Sequence, residues 1–209
     1  EIDGLRALAV IPVVFFHAGF HLFKGGFVGV DIFFVISGYL ITTIIIEQIE
    51  SNQFNILSFY ERRARRILPA LYLVMFVCIL FSWIWMLPNQ MKDFSQSLVA
   101  ISLFASNFLF WFESGYFDVL SEEKPLLHTW SLSIEEQFYL FFPIFLILIF
   151  KIFKDLKIRL LSLFIVIAIS YWINIIFISK GHYDPIFFLF PARVWQFGLG
   201  GFLAFFPNL

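Results

Sequence analysis

Apolar runs of about twenty residues recur along this chain, separated by short polar or basic intervals. A run of that length is what a helix needs to cross the hydrocarbon core of a bilayer. Five segments qualify, roughly 5–22, 27–46, 67–87, 136–150 with a polar run-in, and 159–178. A sixth, 192–206, is shorter and carries Gly198, Gly200 and Gly201, small residues that let helices approach closely. Segment 94–112 breaks the pattern, because Ser95, Gln96, Ser97, Ser102, Ser106 and Asn107 interrupt it. The pattern predicts an all-α fold, a polytopic transmembrane helical bundle.

Lysine and arginine in short loops gather on the cytoplasmic side of a membrane. Arg62, Arg63, Arg65 and Arg66 precede the third span, and Lys151, Lys154, Lys157 and Arg159 follow the fourth. Both intervals are therefore expected inside, together with the N-terminus, and the acidic interval 113–124 outside. They share a side only when 94–112 makes no crossing, so that segment is read as a re-entrant or interfacial helix. Polar backbone is tolerated at depth where protein surrounds it or it lines a cavity.

Composition agrees with the pattern. The 209 residues are 61% hydrophobic and 14% charged, against about half and a quarter in soluble domains. A net charge of −1 excludes a nucleic-acid binder driven by bulk charge. The single cysteine, Cys78, excludes an internal disulfide and a cysteine metal cluster. His21, His128 and His182 are not spaced to bind a metal, and no glycine-rich phosphate loop or Gly-x-Ser-x-Gly elbow occurs. With no repeat and no linker, residues 1–209 read as one membrane domain, expected to continue beyond the apolar run that ends near Leu209.

The candidate chemistry lies on the ionisable residues inside these spans, which are costly there and usually functional. Arg6 and His17 are eleven residues apart, so a helix sets them on one face about 16 Å apart along its axis. A neutral imidazole takes a proton from a hydroxyl near pH 7. With the hairpin turn centred at residue 24, His17 lies level with Asp31, which either orients the ring or caps the second helix. Arg6 either snorkels to headgroups or holds a phosphate of an incoming donor. The four arginines at 62–66 either set topology and bind anionic lipid or form an anion site. Ser37 beside Gly38 is either a packing pair or a polar spot on the path past His17. Ser131, Glu135 and Tyr139 fall on one side of a helix, with Trp130 beside them. Part of that string reads as helix-start punctuation, and Glu135 near His17 would be a second base or orienter.

Four strings, in order, resemble the acyltransferase family 3 membrane domain, the bacterial O-acetyltransferases of the O-antigen acetylase type. They are Arg6-x10-His17, Gly26 to Gly38 through Asp31 and Ser37, Phe59 to Pro69 through Arg63 and Arg66, and His128 to Tyr139. The wording is most similar to members that carry an extracytoplasmic SGNH hydrolase-like domain. The resemblance implies transfer of an acetyl or other acyl group from cytoplasmic acyl-CoA to a hydroxyl of an envelope glycan or lipid-linked sugar. Lipopolysaccharide O-antigen and peptidoglycan are the acceptors of that kind. It implies no metal and a multi-pass protein of the bacterial inner membrane, embedded in lipid. Carried over, Arg6 and His17 match the essential pair, Arg63 and Arg66 the Arg-x-x-Arg, and Trp130, Ser131 and Glu135 the Trp-Ser-Leu-x-x-Glu. His17, Glu135 and Asp31 are then expected at the chemistry, Arg6, Arg63 and Arg66 at the donor, and Ser37, Trp130 and Ser131 along the path. The competing class is a transporter or flippase of lipid-linked glycan with His17 and Asp31 relaying protons. Such proteins often show paired halves, and no repeat is found here.

Overall fold

A computed structural model describes residues 2–114 and 124–206. The acidic interval 113–124 lies largely outside them, as does the end of the chain past Phe206. Helix α1 covers Ile2–His17, α2 Val28–Glu50, α3 Ile56–Trp85, α4 Pro88–Ser102 and α5 Ser106–Ser114. Then come α6 at Thr129–Ile152, α7 at Leu156–Ser179, α8 at Asp184–Phe188 and α9 at Phe190–Leu203. Helices dominate because a backbone in lipid must satisfy its own N–H and C=O groups. Four of them, α2, α3, α6 and α7, are long and apolar enough to cross a membrane.

Several boundaries differ from the apolar runs. Helix α1 stops at His17, and Gly19 turns the chain at φ +79°, a conformation that suits glycine. Helix α3 starts about three turns ahead of its apolar stretch. Asn55 caps it by accepting from the Ser58 N–H at 3.1 Å, and Glu61 pairs with Arg65 at 2.7 Å one turn on. The arginine cluster is thus the first part of a helix, not a loop.

Helix α6 runs antiparallel to α3, with the Tyr60 hydroxyl donating to the Leu140 carbonyl at 2.8 Å and Leu71 and Met75 clustering with Leu126 and Leu132. So α3 ends where α6 begins, and the chain between them makes no net crossing. The expected re-entrant element is two helices rather than one. Phe104, at φ 51°, breaks the path between α4 and α5. The break rests against Gln137, whose amide donates to the Phe104 carbonyl and to Asn107 Oδ1, both at 2.9 Å. With 15 and 9 residues, neither helix is long enough to span. Glu50, Asn52 and Phe54 share a cavity of about 530 Å³ with Lys151 and Arg159. The turn that leads into the arginine-bearing first part of α3 therefore sits at the same end of the bundle as Lys151 and Arg159.

The interior is built on α2, α6 and α9. Helices α2 and α9 touch backbone to backbone: a Cβ on Gly38 would lie 2.0 Å from the Phe197 carbonyl oxygen, and one on Gly200 1.9 Å from that of Val35. Small residues permit that contact. Phe34, Phe138, Phe142 and Phe197 stack beside it with ring centroids 4.3–4.5 Å apart. Half of the apolar window of α6 is buried (50%) against 17% for α3 and α7, so the latter two present their apolar faces outward.

Candidate active site

The hairpin of α1 and α2 sets which residues meet. A Cβ on Gly26 would strike the Pro12 carbonyl oxygen, and one on Gly29 that of Ala9, each at 2.1 Å. Arg6 lies over the Phe33 ring at 5.4 Å. These three pairs share a midpoint near residue 19, at the turned Gly19, and not at residue 24. The expected pairing of His17 with Asp31 is therefore corrected: Asp31 is level with about Ala7 in the first half of α1, and His17 sits beyond the hairpin contact.

His17 is the last residue of α1 and is exposed. Its Nδ1 lies 2.8 Å from the Val13 carbonyl oxygen. A carbonyl only accepts, so Nδ1 carries the proton, and in the neutral ring the lone pair is on Nε2. The facing group is His128, with ring centroids 4.4 Å apart at 78°. Partial burial, with nearby His17 adding to it, holds the His128 pKa below the usual imidazole value.

Asp31 belongs to a second cluster. Its carboxylate accepts from Arg193 at 2.7 Å and from Gln196 at 2.8 Å. The Arg193 Nε donates to the Phe187 carbonyl at 3.2 Å, and its guanidinium lies over the Trp130 ring at 5.7 Å. Trp130 is buried against Phe34, Phe187 and Phe188. It is a wall residue of this cluster, fixed by aromatic contacts.

A third cluster lies deeper. Ser37, fully buried, donates to Glu135 Oε1 at 2.6 Å, and the Tyr139 hydroxyl donates to the same oxygen. Arg63 lies over the Tyr139 ring at 4.6 Å. Glu135 and Tyr139 share a face as the spacing predicts, but Glu135 is bonded to Ser37 and not to His17. It stands seven residues below His128, about 10 Å along the axis. Ser131 leaves the group altogether: its hydroxyl donates to the His128 carbonyl at 3.1 Å, the punctuation reading. Arg63, Glu136, Gln137, Tyr139, Tyr60 and Phe104 line a cavity of about 290 Å³. The buried Oε1 of Glu136 there, and the buried Nε of Arg6, find no hydrogen-bond partner among the described residues. Arg66 is exposed and apart from this cavity.

Three participants were not singled out from sequence. Arg193 and Gln196 fall one turn apart inside the short apolar run 192–206, and the rule that flagged Arg6 applies to them. His128 carried no such signal, since only folding brings it to His17.

The fold is therefore that of a polytopic membrane bundle with three stacked polar clusters. An acyltransferase domain family matches residues 1–209, and the chain belongs to that family. It is 40% identical over 209 residues to the peptidoglycan O-acetyltransferase OatA of Listeria monocytogenes, covering 98% of this chain and 33% of that protein. It is 39% identical over 209 residues to the O-acetyltransferase OatA of Staphylococcus aureus, covering 98% and 34%. An uncharacterized protein of Haemophilus influenzae is 38% identical over 183 residues, 86% of this chain and 75% of that one. The chain spans about a third of the length of the two O-acetyltransferases. No solved structure matches it.

Proposed function

We propose that this chain is the membrane domain of an O-acyltransferase that moves an acetyl or other acyl group from cytoplasmic acyl-CoA to a hydroxyl of an envelope glycan. Peptidoglycan is the acceptor named for the Listeria relative, and lipopolysaccharide is the other candidate. The observation that carries the reading is the tautomer of His17: its free Nε2 is a nucleophile or base at one end of a track of buried polar groups.

The end that bears Arg62–Arg66 and Lys151–Arg159 is taken as cytoplasmic, in the bacterial inner membrane, with the N-terminus inside. The donor's phosphates approach there. Arg63 and Arg66 meet that charge, Arg63 from the wall of the 290 Å³ cavity and Arg66 from the exposed helix start. Arg6 continues the positive stripe toward His17, about 16 Å further along α1. The flexible arm of the donor spans that distance and delivers its thioester to Nε2. Glu135, held by Ser37 and Tyr139, fixes the Tyr139 ring on which Arg63 rests. Asp31 serves at one remove, by holding Arg193 under Trp130.

The competing transport reading needs protons to pass between His17 and Asp31. The Asp31 carboxylate is instead engaged by Arg193 and Gln196. Isotope transfer from labelled acyl-CoA to glycan, in membranes with no ion gradient, tests the proposal. Label on the glycan, lost in His17→Ala at normal protein level, is the expected result. Transfer that persists in His17→Ala removes His17 from the chemistry, and no transfer without a gradient favours transport.

A further inference from the structure

We propose that His128 is a second reacting imidazole, the base that takes the proton of the acceptor hydroxyl while His17 carries the acyl group. The proposal rests on the reading of His17 given above. Its geometry is independent of that reading: two imidazoles face each other at 4.4 Å, both exposed at the same end of the bundle. The ring nitrogens of His128 make no hydrogen bond to any described residue, while His17 has only Nε2 free.

The main chain at His128 is held firmly, although its ring nitrogens bond to none of the described residues. The Leu127 N–H donates to Lys124, Thr129 to Leu126 and Trp130 to Leu127, at 3.0–3.2 Å. The Thr129 hydroxyl donates to the Leu126 carbonyl at 2.7 Å, and Ser131 holds the His128 carbonyl. Successive turns thus aim the His128 ring at the ring of His17, which is itself anchored through Nδ1. A fixed backbone with a reactive ring is what positioning for catalysis requires.

The chemistry explains why two rings are needed. When His17 Nε2 attacks the thioester carbonyl, a C–N bond forms, the C–S bond breaks and the thiolate leaves. Nδ1 keeps its proton and its bond to Val13, so the acylated ring is a cation and its acyl group is activated. That ring has no lone pair left and cannot serve as base for the next step. His128 accepts the hydroxyl proton as the acceptor oxygen attacks the acyl carbon. The C–N bond then breaks, its electron pair returns to Nε2, and His128 passes its proton to water. The thiolate takes one proton from the cytoplasmic side, so the exchange balances as acyl thioester plus alcohol to ester plus thiol.

The test uses the full-length protein in native membranes, with labelled acetyl-CoA and glycan, and protein levels checked for each variant. His128→Ala is expected to lower transfer about 100-fold, the range of a lost general base, and to regain about tenfold on addition of millimolar imidazole, which can enter the exposed space. His128→Gln, similar in bulk but not a base, is expected to stay as low as the alanine variant. Activity of His128→Ala near wild type, recovery by glutamine, or no response to imidazole would each overturn the proposal. If His17→Ala also retains full transfer, the reading of His17 itself falls; if only His128→Ala does, the pairing alone falls.

Discussion

Ser37 donates its hydroxyl hydrogen to Glu135 Oε1 at 2.6 Å, across 98 residues of sequence and with both side chains buried. The bond joins α2 to α6 at the deepest of the three polar clusters. A carboxyl group in such a place needs its donors, because a buried acceptor that loses one forfeits solvation it cannot recover. Ser37→Ala is therefore expected to destabilise the protein by about 1.5–3 kcal/mol, read as thermal unfolding in detergent. A stability unchanged within error would mean that water replaces the hydroxyl.

Asp31 and Arg193 form the cluster above it. Removing one member strands the other, and Arg193 is the more enclosed, its side chain 10% exposed against 35% for Asp31. Asp31→Ala is expected to cost about 3 kcal/mol. The double variant Asp31→Ala/Arg193→Met should recover most of that loss, since no uncompensated charge remains. Strictly additive losses in the double-mutant cycle would show that the two groups do not interact.

Close backbone contact between α2 and α9 gives a sharper contrast. A methyl group at Gly38 meets the Phe197 carbonyl oxygen at 2.0 Å, whereas one at Gly25 meets nothing within 4 Å. Gly38→Ala is expected to cost about 3 kcal/mol or prevent stable insertion, because backbone cannot yield as a side chain does. Gly25→Ala should stay within about 0.5 kcal/mol of the parent. Equal behaviour of the two variants in a thermal-shift assay would contradict the α2–α9 register.

The depressed pKa of His128 sets a direction for pH dependence. Its cause is first the partial burial of the ring and second the proximity of His17. As pH falls through the ordinary value of 6.5, the unfolded chain binds the proton before the folded one does. Acidification below that value therefore favours unfolding, and the penalty is absent above it. His128→Gln should give a shallower fall of stability below about pH 6.5 than the parent. An identical slope in the two proteins would mean that His128 titrates normally.

Arg63 lines the cavity beneath Tyr139, where the donor's negative charge is expected. Loss of a charge-assisted contact there is worth about 1.5–3 kcal/mol, so Arg63→Ala should raise the donor KM about 10- to 100-fold. The acceptor KM should change little. Equal loss on both substrates in initial-rate measurements would take Arg63 off the donor path.

The sequence by itself determined the helices, because a twenty-residue apolar run in lipid has one way to satisfy its backbone. Charge in the short intervals favoured one side for both basic stretches and a non-crossing 94–112, while the antiparallel pairing of α3 with α6 decided that no net crossing lies between them. The sequence also determined that Glu135 and Tyr139 share a face, because that follows from helical period alone. Only the tertiary structure decided who meets whom. Helical period fixes a residue's depth and direction on its own helix, not the neighbour it faces. A five-residue error in the hairpin midpoint, from residue 24 to Gly19, therefore moved Asp31 away from His17. Its partner turned out to be Arg193, 162 residues on, and the partner of His17 turned out to be His128. Those choices depend on how whole helices rotate and dock, which the glycine contacts between α1, α2 and α9 settle.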